Sequence, residues 1–109
     1  MSCLTTHVLD IAQGRPGRNV KADLYRIVDN QRYFLLSTTS NQDGRCDHPL
    51  REDPAFQAGI DELDFHIGDY FAARFIDVVT LHFGVCDADQ RYQVPLVAGP
   101  WSYSTYRGS

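Results

Sequence analysis

The chain has 109 residues, of which 43% are hydrophobic and 22% charged, with a formal net charge of −4. That length and balance fit one globular domain spanning residues 1–109, large enough for a modest single core. The acidic balance argues against nucleic acid or an anionic membrane surface as a partner, because no basic patch is available to neutralise phosphates; a small anion in a local arginine pocket stays open.

Leu4 to Ile11 predicts a first strand, with Thr5, His7, Leu9 and Ile11 on one face and Leu4, Thr6, Val8 and Asp10 on the other. Gln13 to Gly17 is punctuated by Gly and Pro and reads as a turn. Val20 to Asp29 predicts a second strand, with Val20, Ala22 and Leu24 alternating against Lys21, Asp23 and Tyr25, and Arg32 to Thr39 a third, rich in Tyr, Phe, Leu and Thr. Asn41-Gln42-Asp43-Gly44 is a turn built on Asp-Gly, with Arg45 next in line. Cys46 to Phe56, charged and carrying two prolines, reads as loop or a very short edge strand.

Ile60 to Ile67 alternates as a half-buried strand, and Gly68 to Arg74 is the one helix-like patch. Asp77 to Val85 is β-branched and strand-forming, and Cys86 to Asp89 turns the chain. Gln90 to Ala98 and Trp101 to Tyr106 complete the strands, separated by Gly99-Pro100. In the last of them Trp101, Tyr103 and Thr105 alternate with Ser102, Ser104 and Tyr106, which is the period of a strand with two distinct faces. Short strands at roughly ten-residue spacing with a single short helix predict an antiparallel β-sandwich.

Cys3, Cys46 and Cys86 are odd in number and widely spaced, with no Cys-x-x-Cys pair, so they match neither a disulfide framework nor a zinc pattern. Met1 to Ala12 has no basic segment followed by an apolar run, and no apolar stretch approaches the roughly 18 residues of a membrane helix. The expected compartment is therefore the cytoplasm.

Four positions carry chemistry. His7, mid-strand beside Leu9, suits a general base, since imidazole titrates near neutrality; a lone His there also serves as a packed interior residue. Arg45 is a planar donor fork for an oxyanion or a urea-like carbonyl, or else a solvated turn cation. Gln93 can orient water or a substrate amide but cannot accept a proton at neutral pH. The ending Arg107-Gly108-Ser109 places a cation, a flexible residue and a hydroxyl after a strand, as part of a site or as a plain polar end. His48, His66 and His82 are scattered and lack metal-helix spacing; His66 and His82 read as strand residues, while His48, three residues after Arg45, could reach a site that Arg45 serves.

Leu4-Thr5-Thr6-His7-Val8-Leu9-Asp10, Asp43-Gly44-Arg45, Gly68-Asp69-Tyr70-Phe71 and the terminal Tyr106-Arg107-Gly108-Ser109 together resemble the transthyretin-related 5-hydroxyisourate hydrolases. The order matches along nearly the whole chain, and the Tyr-Arg-Gly-Ser ending is the specific part; transthyretin itself lacks that ending and has Lys at the position of His7. The resemblance implies an all-β, transthyretin-like antiparallel sandwich of about eight strands, with a short helix after the fifth. It implies a homotetramer whose central channel holds the sites, lined by His7, Leu9, Gln93, Pro95, Val97, Ser104 and Tyr106. It further implies hydrolysis of 5-hydroxyisourate in urate degradation towards allantoin, by water addition to a ring carbonyl and opening of a cyclic amide, without metal or organic cofactor. His7, Arg45, Arg107 and Ser109 fall on the family's site positions. The family usually reads Tyr-His-Val-Pro-Leu on its seventh strand, whereas this chain reads Tyr92-Gln93-Val94-Pro95-Leu96, so the second catalytic His is replaced by Gln93. A second implied reading is a ligand-binding protein of the same fold without turnover. The segment between Phe71 and Phe75 is also shorter than in the family.

Overall fold

A computed structural model describes residues 2–72 and 75–108. Its strands are β1 (Cys3–Asp10), β2 (Arg15–Pro16), β3 (Lys21–Val28), β4 (Gln31–Thr39), β5 (Arg51–Glu52), β6 (Gly59–His66), β7 (Val78–Val85), β8 (Arg91–Ala98) and β9 (Tyr103–Thr105), with one helix, α1 (Ile67–Phe71), after β6. Two sheets form: β2-β1-β8-β9, with β5 also on β1, and β4-β3-β6-β7.

The alternation read from the sequence decides which residues fill the space between the sheets. On β1 Leu4, Thr6, Val8 and Asp10 are buried, while Thr5, His7 and Leu9 are half-buried on the other face. On β8 Tyr92, Val94, Leu96 and Ala98 face inward. Leu24, Leu63, Phe65, Val79 and Leu81 meet them from the second sheet, and Ile67 seals one end. Each such fully buried side chain contributes roughly 1.5–3 kcal/mol relative to exposure.

The structure departs from the sequence expectations at five points. First, β1 and β8 run parallel, with Thr5 opposite Gln93 and His7 opposite Pro95, so the sandwich is not uniformly antiparallel. A parallel pair needs a long crossover, and here the second sheet is that crossover. Second, nine strands are present among the described residues and the helix follows the sixth, because β2 and β5 are two-residue strands within segments that read as turn and loop. Third, β6 is buried on both faces over Asp61 to Phe65. Arg32 Nη1 reaches across to Glu62 Oε1 and Asp64 Oδ2, each at 3.0 Å, and covers the face expected to meet solvent. Fourth, the helix begins at Ile67 rather than Gly68 and stops at Ala72, which adopts the left-handed conformation with φ 62°. The expected helix end at Arg74, and part of the shortened segment before Phe75, lie outside the described residues.

Fifth, the last strand is only Tyr103–Thr105, shorter than Trp101 to Tyr106. Pro95 explains the break. It lacks an N–H, so the β8–β9 ladder lapses opposite it. The Thr105 hydroxyl donates instead to the Pro95 carbonyl at 2.7 Å, and the ladder resumes in the same register where the Gly108 N–H meets the Gln93 carbonyl at 2.7 Å.

Asp10 pins the end of β1. Its Oδ1 accepts the N–H groups of Ala12 and Gln13 at 2.9 and 3.0 Å, and its Oδ2 accepts the Tyr70 hydroxyl at 2.7 Å. Tyr70→Phe keeps the ring packed edge-on to Phe71 but strands a buried carboxylate oxygen. We expect a loss of roughly 1–3 kcal/mol. A thermal melt should show a midpoint lower by about 4–8 °C per kcal/mol lost.

Candidate active site

The site is assembled along one edge of β1. Three short segments pair with it in sequence: β5 at Cys3 and Leu4, Arg45 at His7, and β2 at Leu9 and Asp10. The Val8 N–H donates to the Gly44 carbonyl at 2.7 Å, so the Asp-Gly turn is stitched to the strand beside His7. Asn41 shapes that turn. Its Oδ1 accepts the N–H groups of Asp43 and Arg45, and its own N–H donates to the Arg45 carbonyl at 2.7 Å.

Gly44 is required here. Its φ is +77°, and a Cβ would come within 2.3 Å of the Val8 carbonyl oxygen and 3.3 Å of the His7 ring. At Gly108 the constraint is softer: a Cβ there would meet Gln93 Oε1 at 2.6 Å, so the Gln93 amide would have to shift. Both glycines of the sequence motifs thus let backbone lie close to His7 and Gln93.

The His7 ring is half-buried, with Nε2 3.1 Å from the Asp43 carbonyl oxygen. Burial is the largest influence on it and the Arg45 guanidinium the next; both lower its pKa from the ordinary 6.5 and outweigh the opposing pull of Asp43. His7 is thereby held neutral, the form that can accept a proton.

Arg45 and Gln93 line one cleft of about 370 Å³, mostly polar, together with Thr5, His48, Arg91 and Tyr92. Arg107 is not in it. Its Nη2 donates to Gln90 Oε1 at 2.9 Å and to the Arg91 carbonyl at 3.1 Å, and its guanidinium lies 4.3 Å from the centre of the Tyr92 ring. It lines a second, apolar groove with Tyr106, His82 and Phe83. Tyr92 separates the two recesses and lines both.

The register thus brings the backbones of His7, Arg45, Gln93 and Gly108 together across β8, β1 and the Arg45 turn; the His7 ring adjoins the Arg45 cleft without lining it, and the Arg107 side chain is left on the far side of Tyr92. Leu9 and Val97 are paired and half-buried, and Ser104 is exposed opposite Val97. Tyr106 is 59% exposed, but Pro95 is fully buried in the protomer and presents no open surface. Ser109 lies outside the described residues. His66 and His82 are strand residues on β6 and β7; His66 Nε2 pairs with Asp23 Oδ2 at 2.8 Å. Among the described residues no group of three His, Cys, Asp or Glu side chains could hold a metal, and no helix is long and apolar enough to cross a membrane. Thr5 and Arg91 join the cleft without a sequence signal beyond their alternation with His7 and Gln93.

Residues 4–108 match the HIUase/Transthyretin family. The chain is 54% identical to the 5-hydroxyisourate hydrolase of Ralstonia nicotianae over 117 aligned residues, covering all of both proteins. It superposes on the structure of Klebsiella pneumoniae 5-hydroxyisourate hydrolase with a TM-score of 0.82 at 28% identity, covering 100% of each chain. It also superposes on (S)-allantoin synthase with a TM-score of 0.91 at 36% identity, where 99% of this chain spans 44% of the other.

Two measurements test the site geometry. Gly44→Ala should lower stability by on the order of 1–2 kcal/mol from backbone conformation alone, with a further loss from the collision with Val8; a denaturant titration reads it. In an NMR pH titration the His7 ring should change charge below pH 6.5, and Arg45→Gln should move the midpoint up. Because the folded-state value is lowered, the unfolded chain takes up this proton first, so His7 removes stability as pH falls below 6.5 towards the folded-state value.

Proposed function

As the chain belongs to the HIUase/Transthyretin family, we propose that it is a 5-hydroxyisourate hydrolase that opens a cyclic amide of its substrate in urate degradation. The observation that carries this reading is the backbone pairing of His7 with Arg45. It holds a half-buried imidazole, kept neutral by burial and a guanidinium, in the strand next to Gln93. The identity to the Ralstonia nicotianae hydrolase over the full length supports it.

In this reading His7 takes a proton from the attacking water. The hydroxide adds to a ring carbonyl carbon, the carbon–nitrogen bond breaks, and a proton goes to the leaving nitrogen. Arg45 binds and polarises the planar, oxygen-rich substrate and stabilises the tetrahedral oxyanion. Gln93 orients water or substrate through its amide, which has donors and an acceptor but no titratable proton. No step requires a metal or organic cofactor. Leu9, Ser104 and Tyr106 line the approach, with Pro95 buried beneath them, and Ser109 completes the terminal motif.

The site belongs to a homotetramer in this reading, with the channel between dimers as the binding space. Open edges support the assembly: β7 and β9 each end a sheet, and Trp101, Tyr103 and Tyr106 are exposed beside β9 at 63, 43 and 59%. Arg107 serves substrate binding once the channel is formed. Three free cysteines fit a reducing compartment, in keeping with the cytoplasm.

The test follows the ultraviolet decay of 5-hydroxyisourate generated in place by a urate oxidase. The native protein should accelerate decay, and His7→Ala should lower kcat by roughly 10²–10⁴. Full activity in His7→Ala would sink the assignment. If the native protein is inert but binds an unreactive urate analogue, and Gln93→His restores turnover, the chain is instead a ligand-binding relative. Gln93 is the observation that favours that second reading.

A further inference from the structure

The cleft shared by Arg45 and Gln93 has an imidazole in its wall, His48, beside Cys46, Arg91 and Tyr92; His7 adjoins it through its backbone pairing with Arg45. The mechanism above has a base in His7 but no named donor for the leaving nitrogen, and the amide at Gln93 cannot be one. The segment carrying His48 is tied at both ends. Asp47 Oδ1 accepts Asn41 Nδ2 at 3.0 Å, and Asn41 is the residue that also shapes the backbone of Arg45. On the other side the Leu50 N–H donates to the Leu4 carbonyl at 2.8 Å, with the Leu50 side chain buried in the core. Pro49 follows His48 directly and confines its backbone to the extended region. A short, anchored, proline-restricted segment thus presents His48 in the wall of the cleft, at a point where it also borders two neighbouring surface recesses, and the residue itself is exposed rather than packed away.

We propose that His48 is a catalytic residue of this chain, the general acid that gives its proton to the ring nitrogen as the amide bond breaks, supplying the second imidazole that position 93 lacks. This inference rests on the hydrolase reading. The step balances without a further reactant. His7 takes one proton from water, the hydroxide forms the new carbon–oxygen bond, the carbon–nitrogen electron pair stays on nitrogen, and that nitrogen takes the proton of the His48 imidazolium. Proton exchange with solvent then resets both rings.

The experiment measures kcat and KM by the same decay assay for the native protein, His48→Ala, His48→Gln, Gln93→His and the double variant Gln93→His with His48→Ala. Loss of the general acid should lower kcat by roughly 10²-fold in both His48 single variants. In the Gln93→His background the same His48→Ala change should cost under about threefold, because an imidazole at 93 takes over; that non-additivity separates proton transfer from a structural role. KM should stay nearly constant on each removal of His48, in the native and in the Gln93→His background alike. Equal losses in the two backgrounds, or full activity in His48→Ala, would overturn the proposal while leaving the hydrolase reading in place. No acceleration by either the native protein or Gln93→His would end the hydrolase reading itself. An unchanged thermal midpoint in His48→Ala, expected for an exposed side chain, excludes misfolding as the cause of any loss.

Discussion

The parallel pairing of β1 with β8 is the constraint on which the rest depends. It joins residues 3–10 to residues 91–98, with the whole second sheet between them in the chain. Closing so long a loop costs only slightly more than closing a shorter one, since the entropy grows with the logarithm of length. Burial of Leu4 and Val8 against Val94 and Leu96 offsets it. Once the pair is set, the outward residues of both strands lie side by side. Thr5 then neighbours Gln93, and His7 stands opposite Pro95. A slip of one residue would turn His7 into the core and Val8 out of it.

Two flanking contacts then complete the frame. On one side of the pair, the Arg45 turn docks on His7 through Gly44. On the other, Gly108 docks on Gln93 past the interruption at Pro95. At Gly44 the backbone comes closer than any side chain would allow, and at Gly108 the missing Cβ leaves room for the Gln93 amide. The backbones of His7 and Arg45 are therefore fixed by main-chain hydrogen bonds, and the His7 ring is oriented by the contact of its Nε2 with the Asp43 carbonyl at 3.1 Å.

Charge is segregated in a way the net value conceals. On the second sheet the buried acids are matched locally: Asp61 by Arg26 at 2.6 Å, Glu62 and Asp64 by Arg32, and Asp23 by Ser37 and His66. Burial pushes the Asp23 carboxyl up, but the hydrogen bonds from Ser37 and His66, with the charge of Lys21, outweigh it and hold its pKa below the ordinary value. Arg45 and Arg91 line the cleft on the first sheet. A chain with an overall negative charge can thus present a local cationic recess, suited to a small polar heterocycle and not to a polyanion.

The sequence by itself determined the strands, their inward faces and the two glycine turns, because these depend on side-chain alternation and on backbone conformations that only a few residue types adopt. It also marked His7, Arg45 and Gln93 through residue chemistry and family likeness. Alternation carries no information about strand direction, so the parallel β1–β8 pair was not legible. Nor were the two-residue strands β2 and β5, whose pairing comes from an edge of β1 and not from their own propensity. The same holds for side chains whose role is set across space. Only the folded chain decided that Arg32 covers β6 and that Arg107 rests on Tyr92 outside the Arg45 cleft. Those placements follow from long-range contacts between residues far apart in the chain, which no local spacing encodes.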